Sequence, residues 1–327
     1  MRKVRVGLLG CGLVGTGVVE VLAETSERWA ALGVEIALSR IAVRDLNRPR
    51  SPLVRREWLT ANWREVSAAG DVDVVLEAMG GVEPAFEAVR TALAHGKTVI
   101  TANKELLAAH GVALRAVARG HGAVLLNEAT VLGGVPVIHL LDTYFKINRI
   151  RALRGIVNGT CNHVLTRMDE TGCSLEEALS EAKAKGYAEP DPTYDLSGWD
   201  ARAKLKILIE HTLGIAVPVD RIPCTGIAHV SPLDIAAVRA LGGKLRLVAE
   251  ARTAEGGALM AGVGPQVVFP GDPLYAVDGV DNALMVSAAA LKRALGAAGF
   301  ATAVYPLAVP AAGLPAVRSE PTRVSTM

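Results

Sequence analysis

Aromatic side chains are scarce in this sequence: phenylalanine, tryptophan and tyrosine together make 4% of 327 residues. A core cannot then rest on large rings. Alanine, valine and leucine must fill it, which suits parallel strands covered by helices on both faces. Cysteine is scarce too. Cys11, Cys161, Cys173 and Cys224 lie far apart with no CxxC pair, which argues against a zinc site or a disulfide framework and for small core residues in a reducing compartment. Neither sign of charge dominates, since 35 lysines and arginines face 33 acids for a net charge of +2. That balance gives no electrostatic reason to expect nucleic acid or a membrane surface as partner, and it favours a small molecule. Uninterrupted apolar runs are also missing. The MRKVR start followed by VGLLGCGLVG imitates a secretory signal, but Gly10, Gly12 and Gly15 break the helix that such a segment needs. Residues 294–317 carry no charge, yet Gly296, Gly299, Pro306, Pro310, Gly313 and Pro315 interrupt them. No membrane span is expected, and the chain reads as cytoplasmic.

What the sequence does contain is alternation. Val4–Leu9, Ile36–Val43, Val72–Glu77, Thr98–Thr101 and Ala123–Asn127 read as strands, with helical stretches at Val14–Glu24, Pro84–His95 and Leu106–Gly120 between them. Strands spaced by helices predict right-handed crossovers and a doubly wound parallel sheet. Farther on, Ser174-Leu175-Glu176-Glu177 is a capping box whose helix should stop at Gly186. Ser197 followed by Asp200 is a weaker version, opening a helix through Leu213 that Gly214 would close. The acidic, proline-containing loop GYAEPDPTYDLSG lies between these two helices. From about Val219, short strands such as Leu245–Ala249 and Gln266–Phe269 alternate with turns. The fold class expected is α/β: a dinucleotide-binding domain over residues 1–132, with 286–327 a candidate to complete it, and a second α+β domain over 133–285 for substrate binding and dimerisation.

The first strand runs directly into Gly10-Cys11-Gly12-Leu13-Val14-Gly15. In this G-x-G-x-x-G pattern the first glycine permits a tight turn, the second lets a pyrophosphate approach the backbone, and the third brings helix and strand close together. A lone fingerprint of this kind can be a turn without a ligand. Its place after a strand, before a helix and at the head of an alternating pattern points to a nucleotide on a helix N-terminus. Arg44 and Asp45 stand together at the end of the second strand, where an acid would bind the 2′-hydroxyl of NAD and an arginine the 2′-phosphate of NADP. Both signals are present. Arg44 tilts the reading toward NADP, with NAD as the alternative.

Several segments read together resemble the homoserine dehydrogenase family: GLLGCGLVGTG, EAMGG around Met79, TANKELLA around Lys104, NEATVLGGVP, GIVNGTCNHVL, and EAKAKGYAEPDPTYDLSGWDARAK from Glu181 to Lys204. Their order and spacing agree over residues 1 to about 285. The resemblance implies reduction of aspartate 4-semialdehyde to homoserine with NAD(P)H, in a homodimer built through the second domain's sheet. It places the proton donor on Lys204, with Asp200 one helical turn earlier on the same face. Spacing alone favours a surface i,i+4 ion pair with Asp200 as a helix cap, and the acidic loop and the resemblance reverse that reading. By the same resemblance, Glu189 holds the substrate's ammonium or hydroxyl, and Asp195, Asn158, Gly159 and Thr160 lie against the substrate. Lys104 lies between nicotinamide and substrate, so that Lys104 and Lys204 compete for the role of final acid. Gly10, Gly12, Leu13, Val14, Gly15, Arg44, Gly80, Thr101 and Lys104 form the implied cofactor site. Glu128, Val131, Gly133 and Val135 fall on the family's sodium or potassium site, where backbone carbonyls suit a hard cation.

The resemblance fails after Asn282, where ALMVSAAALKRALGAAGFATAVYPLAVPAAGLPAV does not match the family's glycine-rich return to the cofactor domain. The chain also ends without the ~70–80 residues of an appended regulatory domain, and threonine inhibition through one is not expected. Two other classes stay open on the sequence. One is a different semialdehyde or sugar dehydrogenase, for which Cys161 would be the nucleophile of a phosphorylating mechanism. The other is a dinucleotide sensor without catalysis.

Overall fold

The computed structural model describes residues 1–254, 256–289 and 300–304. Six strands make the first sheet: β1 (Arg2–Leu9), β2 (Val34–Ala42), β3 (Leu59–Thr60), β4 (Val74–Glu77), β5 (Thr98–Thr101) and β6 (Leu125–Leu126). All pair in parallel, in the order β3-β2-β1-β4-β5-β6. β1 is exposed at Arg2 and Lys3 and buried over its last four residues, as a central strand covered on both faces must be. The chain order reverses between β1 and β4, so the carboxyl ends of these strands bound the crevice in which such sheets take ligands. Leu9 and Glu77 stand opposite each other in register at that edge.

The helices of this lobe are α1 (Leu13–Glu24), α2 (Ser26–Ala31), α3 (Arg64–Ser67), α4 (Ala85–Ala94) and α5 (Lys104–Gly120). α5 buries Leu106, Leu107, Leu114 and Ala118 along one stripe, and the Asn103 side chain caps it by accepting from the Leu106 amide. α6 (Val137–Asp142) leads into the second lobe. There β7 (Arg149–Ile156), β8 (Lys244–Thr253), β9 (Leu259–Val268), β10 (Ala283–Ala289) and β11 (Phe300–Val304) form an antiparallel sheet in the order β11-β10-β7-β8-β9. It carries α7 (Gly159–Thr171), α8 (Leu175–Ala184), α9 (Thr193–Leu196), α10 (Trp199–Thr212) and α11 (Pro232–Ala240). Residues 286–289 and 300–304 therefore lie in this second sheet. The rest of the 286–327 tail falls outside the described residues.

The capping box at Ser174 opens α8 as its sequence predicts, with Ser174 and Glu177 exchanging hydrogen bonds. The box at Ser197 does not form. The residue ahead of α10 is Gly198 in the left-handed region, at φ +79°, and the Ser197 hydroxyl donates to the Tyr194 carbonyl. Asp200 is thus the second residue of the helix and free for other work. α11 lies where strands and turns were expected. Its own signal is another capping box, Ser231 with Asp234, followed by proline at the first helical position.

One continuous apolar cluster runs from Leu9 in the first sheet to Ala288 in the second. At its centre α10 is buried nearly all round, from Asp200 to Glu210. A helix so enclosed must pair its charges. Lys206 bonds Glu210 within α10, and Arg115 reaches Glu210 from α5 at 3.3 Å. These contacts fasten α5 of the first lobe to α10 of the second, and so fix the active-site ends of both helices.

Candidate active site

The crevice at the β1–β4 switch point encloses about 780 Å³, within the range of cofactor sites. Its glycines divide the labour as their spacing predicts. Gly10 has φ +89°, and a Cβ there would lie 2.5 Å from the Ala78 carbonyl oxygen. A Cβ on Gly15 would lie 2.3 Å from the Gly10 carbonyl oxygen, so this glycine lets α1 sit against the loop. Around Gly12 nothing lies within 4 Å of the position a Cβ would take. Gly12 also heads α1 with no side-chain cap, and Leu13 and Val14 expose the first turn. A pyrophosphate fits there: open space, backbone N–H donors and the positive end of a helix dipole.

Arg44 and Arg48 line the crevice beyond the end of β2, together with Asp45. Asp45 turns one carboxylate oxygen to the Asn47 amide at 2.8 Å, which makes it a weaker candidate for a ribose hydroxyl. Arg50 is structural. Its guanidinium donates to the carbonyls of Cys11 at 2.8 Å and Asp45 at 2.7 Å, and so ties the glycine loop to the β2 end. On the other side the crevice is walled by Ala78, Met79, Gly80 and Gly81. Thr101 is fully buried and does not line it, because its hydroxyl bonds the Glu77 carboxylate under that wall.

Lys104 is the first residue of α5, and it meets the second lobe at once. Its ammonium bonds Asp200, which is 2% exposed, and Lys204 bonds the other oxygen of the same carboxylate at 2.7 Å. The surface ion pair allowed by spacing is therefore excluded. Burial pushes the Asp200 carboxyl up, but Lys204 and Lys104 outweigh it and hold the group at about 2. Burial pulls the Lys104 ammonium down, and the charge and hydrogen bond of Asp200 reverse this, leaving Lys104 raised. Lys104 also stands 5.3 Å over the Tyr194 ring. Lys204 donates in addition to the Val157 carbonyl at 2.8 Å. Two cations thus converge from different lobes on one buried anion.

The acidic loop is only partly drawn into this cluster. Asp195 is raised, first by burial, although an Asn158 hydrogen bond opposes the rise. The Asn158 amide donates to Asp195 at 2.7 Å and to Asp200 at 2.8 Å, while its carbonyl caps α7 by accepting from Cys161 at 2.8 Å. Both side-chain polar atoms of Asn158 are thus committed, the nitrogen to the two carboxylates and the oxygen to the helix cap. Thr160 is likewise spent on the Tyr187 carbonyl at 2.8 Å, pinning the loop. A Cβ on Gly159 would lie 2.7 Å from the Val280 carbonyl oxygen, so glycine serves packing at that position. Glu189 stays exposed, with no hydrogen-bond partner among the described residues. Cys161 is buried with its thiol on the Asp195 carbonyl, and burial raises it well above the usual thiol range. It is no thiolate nucleophile, which removes the phosphorylating alternative.

At the implied ion segment, Glu128 gives its two carboxylate oxygens to the Ile138 and His139 amides, each at 2.8 Å, closing the start of α6. No group of three His, Cys, Asp or Glu is poised for a metal among the described residues. The donors left to a cation are backbone carbonyls, and that of Val135 already accepts from Val137.

Sequence reasoning passed over Glu77, Arg48, Arg50 and Tyr194. Asn103 could have been found as the residue ahead of an amphipathic helix, a preferred cap. Tyr194 and Glu77 carry no local signal, since Tyr194 meets Lys104 and Glu77 meets Thr101 and Asn103 on other segments.

Such a crevice in a doubly wound sheet, with a lysine from each lobe paired on one buried carboxylate, is the architecture of a two-domain, dinucleotide-binding dehydrogenase. The comparisons agree. Residues 10–128 match the model of the homoserine dehydrogenase NAD-binding domain and residues 136–304 that of homoserine dehydrogenase. The chain belongs to the homoserine dehydrogenase family. It is 38% identical to a homoserine dehydrogenase of Synechocystis over 87% of its length, and spans about two thirds (66%) of that relative. Among solved structures, a homoserine dehydrogenase from Thiobacillus denitrificans superposes with a TM-score of 0.85 at 37% identity, covering 94% of this chain and 69% of that one. A hyperthermophilic archaeal homoserine dehydrogenase in complex with NADPH gives 0.72 at 26% identity, covering 93% and 92% of the two chains. No helix among the described residues is long and apolar enough to cross a membrane.

Proposed function

We propose that this protein interconverts L-homoserine and L-aspartate 4-semialdehyde by hydride exchange with NADP, in threonine, methionine and isoleucine biosynthesis in the cytoplasm. The convergence of Lys104 and Lys204 on buried Asp200 carries this reading, with Lys104 one residue beyond Asn103, whose side chain bonds the Gly81 carbonyl in the crevice wall at 2.7 Å. When bound, the nicotinamide supplies the hydride to the aldehyde carbon or takes it from the alcohol carbon. The protein's part is the oxygen. A lysine ammonium hydrogen-bonds the carbonyl, draws electrons from it and delivers the proton as the alkoxide develops, leaving a neutral amine; in reverse the neutral amine takes the hydroxyl proton and becomes the ammonium. Lys204 is the assigned donor, since its ammonium is the more deeply set of the two, and Lys104 binds the same oxygen or the substrate carboxylate.

Asp200 keeps the two like charges together, and Asn158 sets its orientation. Glu189, uncommitted in its loop, receives the substrate ammonium, with Asp195 beside it. Arg44, with Arg48, favours the 2′-phosphate of NADP over the 2′-hydroxyl of NAD, and the archaeal relative that holds NADPH supports this choice. A sodium or potassium ion on the carbonyls of Val131, Gly133 and Val135 near Glu128, and a homodimer through the second sheet, complete the proposal.

Absorbance in the reduced-nicotinamide band tests it. Homoserine with NADP should produce that absorbance, and more slowly with NAD. If neither cofactor is reduced while both bind, the protein is the dinucleotide sensor instead.

A further inference from the structure

The carboxylate of Glu77 is 2% exposed at the carboxyl end of β4. It accepts from the Met79 amide at 2.8 Å, from the Thr101 hydroxyl, and from the Asn103 side-chain amide at 3.3 Å. None of these partners is a cation. Lys104, one residue beyond Asn103, is bonded to Asp200 instead. Burying an unpaired charge is costly, and a buried carboxylate supported, among the described residues, only by neutral donors calls for an explanation.

Its position suggests one. Glu77 lies beneath the Ala78–Gly81 wall of the crevice, in register with Leu9 just ahead of the pyrophosphate loop. The adenosine end of a dinucleotide belongs at Arg44, on the β2 side. The nicotinamide end would then extend past β4 and β5 toward Lys104, on the side of the wall under which Glu77 lies. The oxidised ring carries a positive charge and the reduced ring carries none.

We propose that Glu77 is an electrostatic positioning residue that favours the oxidised dinucleotide, its uncompensated charge acting through the crevice wall on the ring. The proposal rests on the dinucleotide binding argued above. A unit charge acting across ~8–10 Å at an intermediate dielectric is worth about tenfold in affinity. The charge would therefore ease hydride removal from homoserine and limit how tightly the reduced cofactor is held relative to the oxidised.

The test is fluorescence and calorimetric titration of the whole protein with NADP⁺ and with NADPH, without substrate. Glu77→Gln should weaken NADP⁺ binding about tenfold and change NADPH binding less than twofold. Glu77→Asp, which keeps the charge while disturbing the hydrogen bonds, should hold the ratio of the two affinities near that of the unaltered protein. Comparing Glu77→Asp with Glu77→Asn repeats the measurement at shorter length should Glu77→Gln not fold. Equal loss of both affinities in the uncharged variants would make Glu77 a plain structural residue and overturn the proposal. If the unaltered protein binds neither form, the dinucleotide reading itself falls, an outcome distinct from an unchanged ratio.

Discussion

Replacing Asp200 by asparagine removes the charge between two lysines while leaving the shape of the side chain. The carboxyl is held at about 2 in the folded protein against an ordinary 3.8. At ~1.4 kcal/mol per unit, that difference is worth about 2 kcal/mol of stability. Losing one partner of a buried ion pair costs ~3–5 kcal/mol, and the partial exposure of Lys104 places this case at the lower end. Asp200→Asn should therefore destabilise the protein by roughly 2–4 kcal/mol at neutral pH. Because the folded value is depressed, the contribution is complete above the unfolded value near 3.8 and is lost as pH falls toward 2. At pH 3 about half of it should be gone. Urea denaturation of both proteins at pH 7, 5 and 3 measures this, with the gap between them narrowing only at the lowest pH. Adding Lys104→Met to Asp200→Asn should recover ~1 kcal/mol, since it removes one of two unpaired cations. A gap that ignores pH, or strictly additive losses in the double variant, would refute the account of Asp200.

Lys204→Ala should lower turnover of homoserine by ~10²-fold or more while NADPH affinity, read by fluorescence, changes little; unchanged turnover would remove Lys204 from the chemistry. Gly12→Ala should fold with a normal melting temperature and lose dinucleotide binding, because the added methyl occupies open crevice. Gly15→Ala should lower the melting temperature itself, since its methyl would meet the Gly10 carbonyl; the reverse pattern would contradict the division of roles. Arg44→Ala should weaken NADP⁺ about tenfold and leave NAD⁺ nearly unaffected in parallel titrations, the scale of a lost charge-assisted contact. Ser231→Ala should cost ~1 kcal/mol in denaturant unfolding through loss of the α11 cap.

The first lobe was legible because its signals are local. A β-branched run, a glycine loop and a helical stripe each lie within one segment, and β1, β5 and α4 follow the sequence to within a few residues. The second lobe was less so. β8 buries Arg246 to Ala249 in a run and then sets buried Ala251 between exposed Glu250 and Arg252, so only its apolar middle reads as a strand. α11 announces itself only through Ser231, Pro232 and Asp234, a cap without a strong apolar stripe. Among site residues, Lys104, Asp200 and Lys204 were found by resemblance, but what joins them was not readable: Lys104 meets Asp200 across a separation of 96 residues. The same limit hid Glu77, two of whose partners lie 24 and 26 residues away, at and just past the end of β5. Asn158 was placed against the substrate from the sequence, and its hydrogen bonds assign it to holding Asp195 and Asp200.

A crystal structure with NADP⁺ and homoserine bound tests the central claim most directly. The homoserine hydroxyl oxygen should lie within ~2.6–3.2 Å of the Lys204 ammonium, with Lys104 beside it and the alcohol carbon facing the nicotinamide ring. Homoserine seated away from both lysines, or a dinucleotide whose ring points out of the crevice, would contradict it.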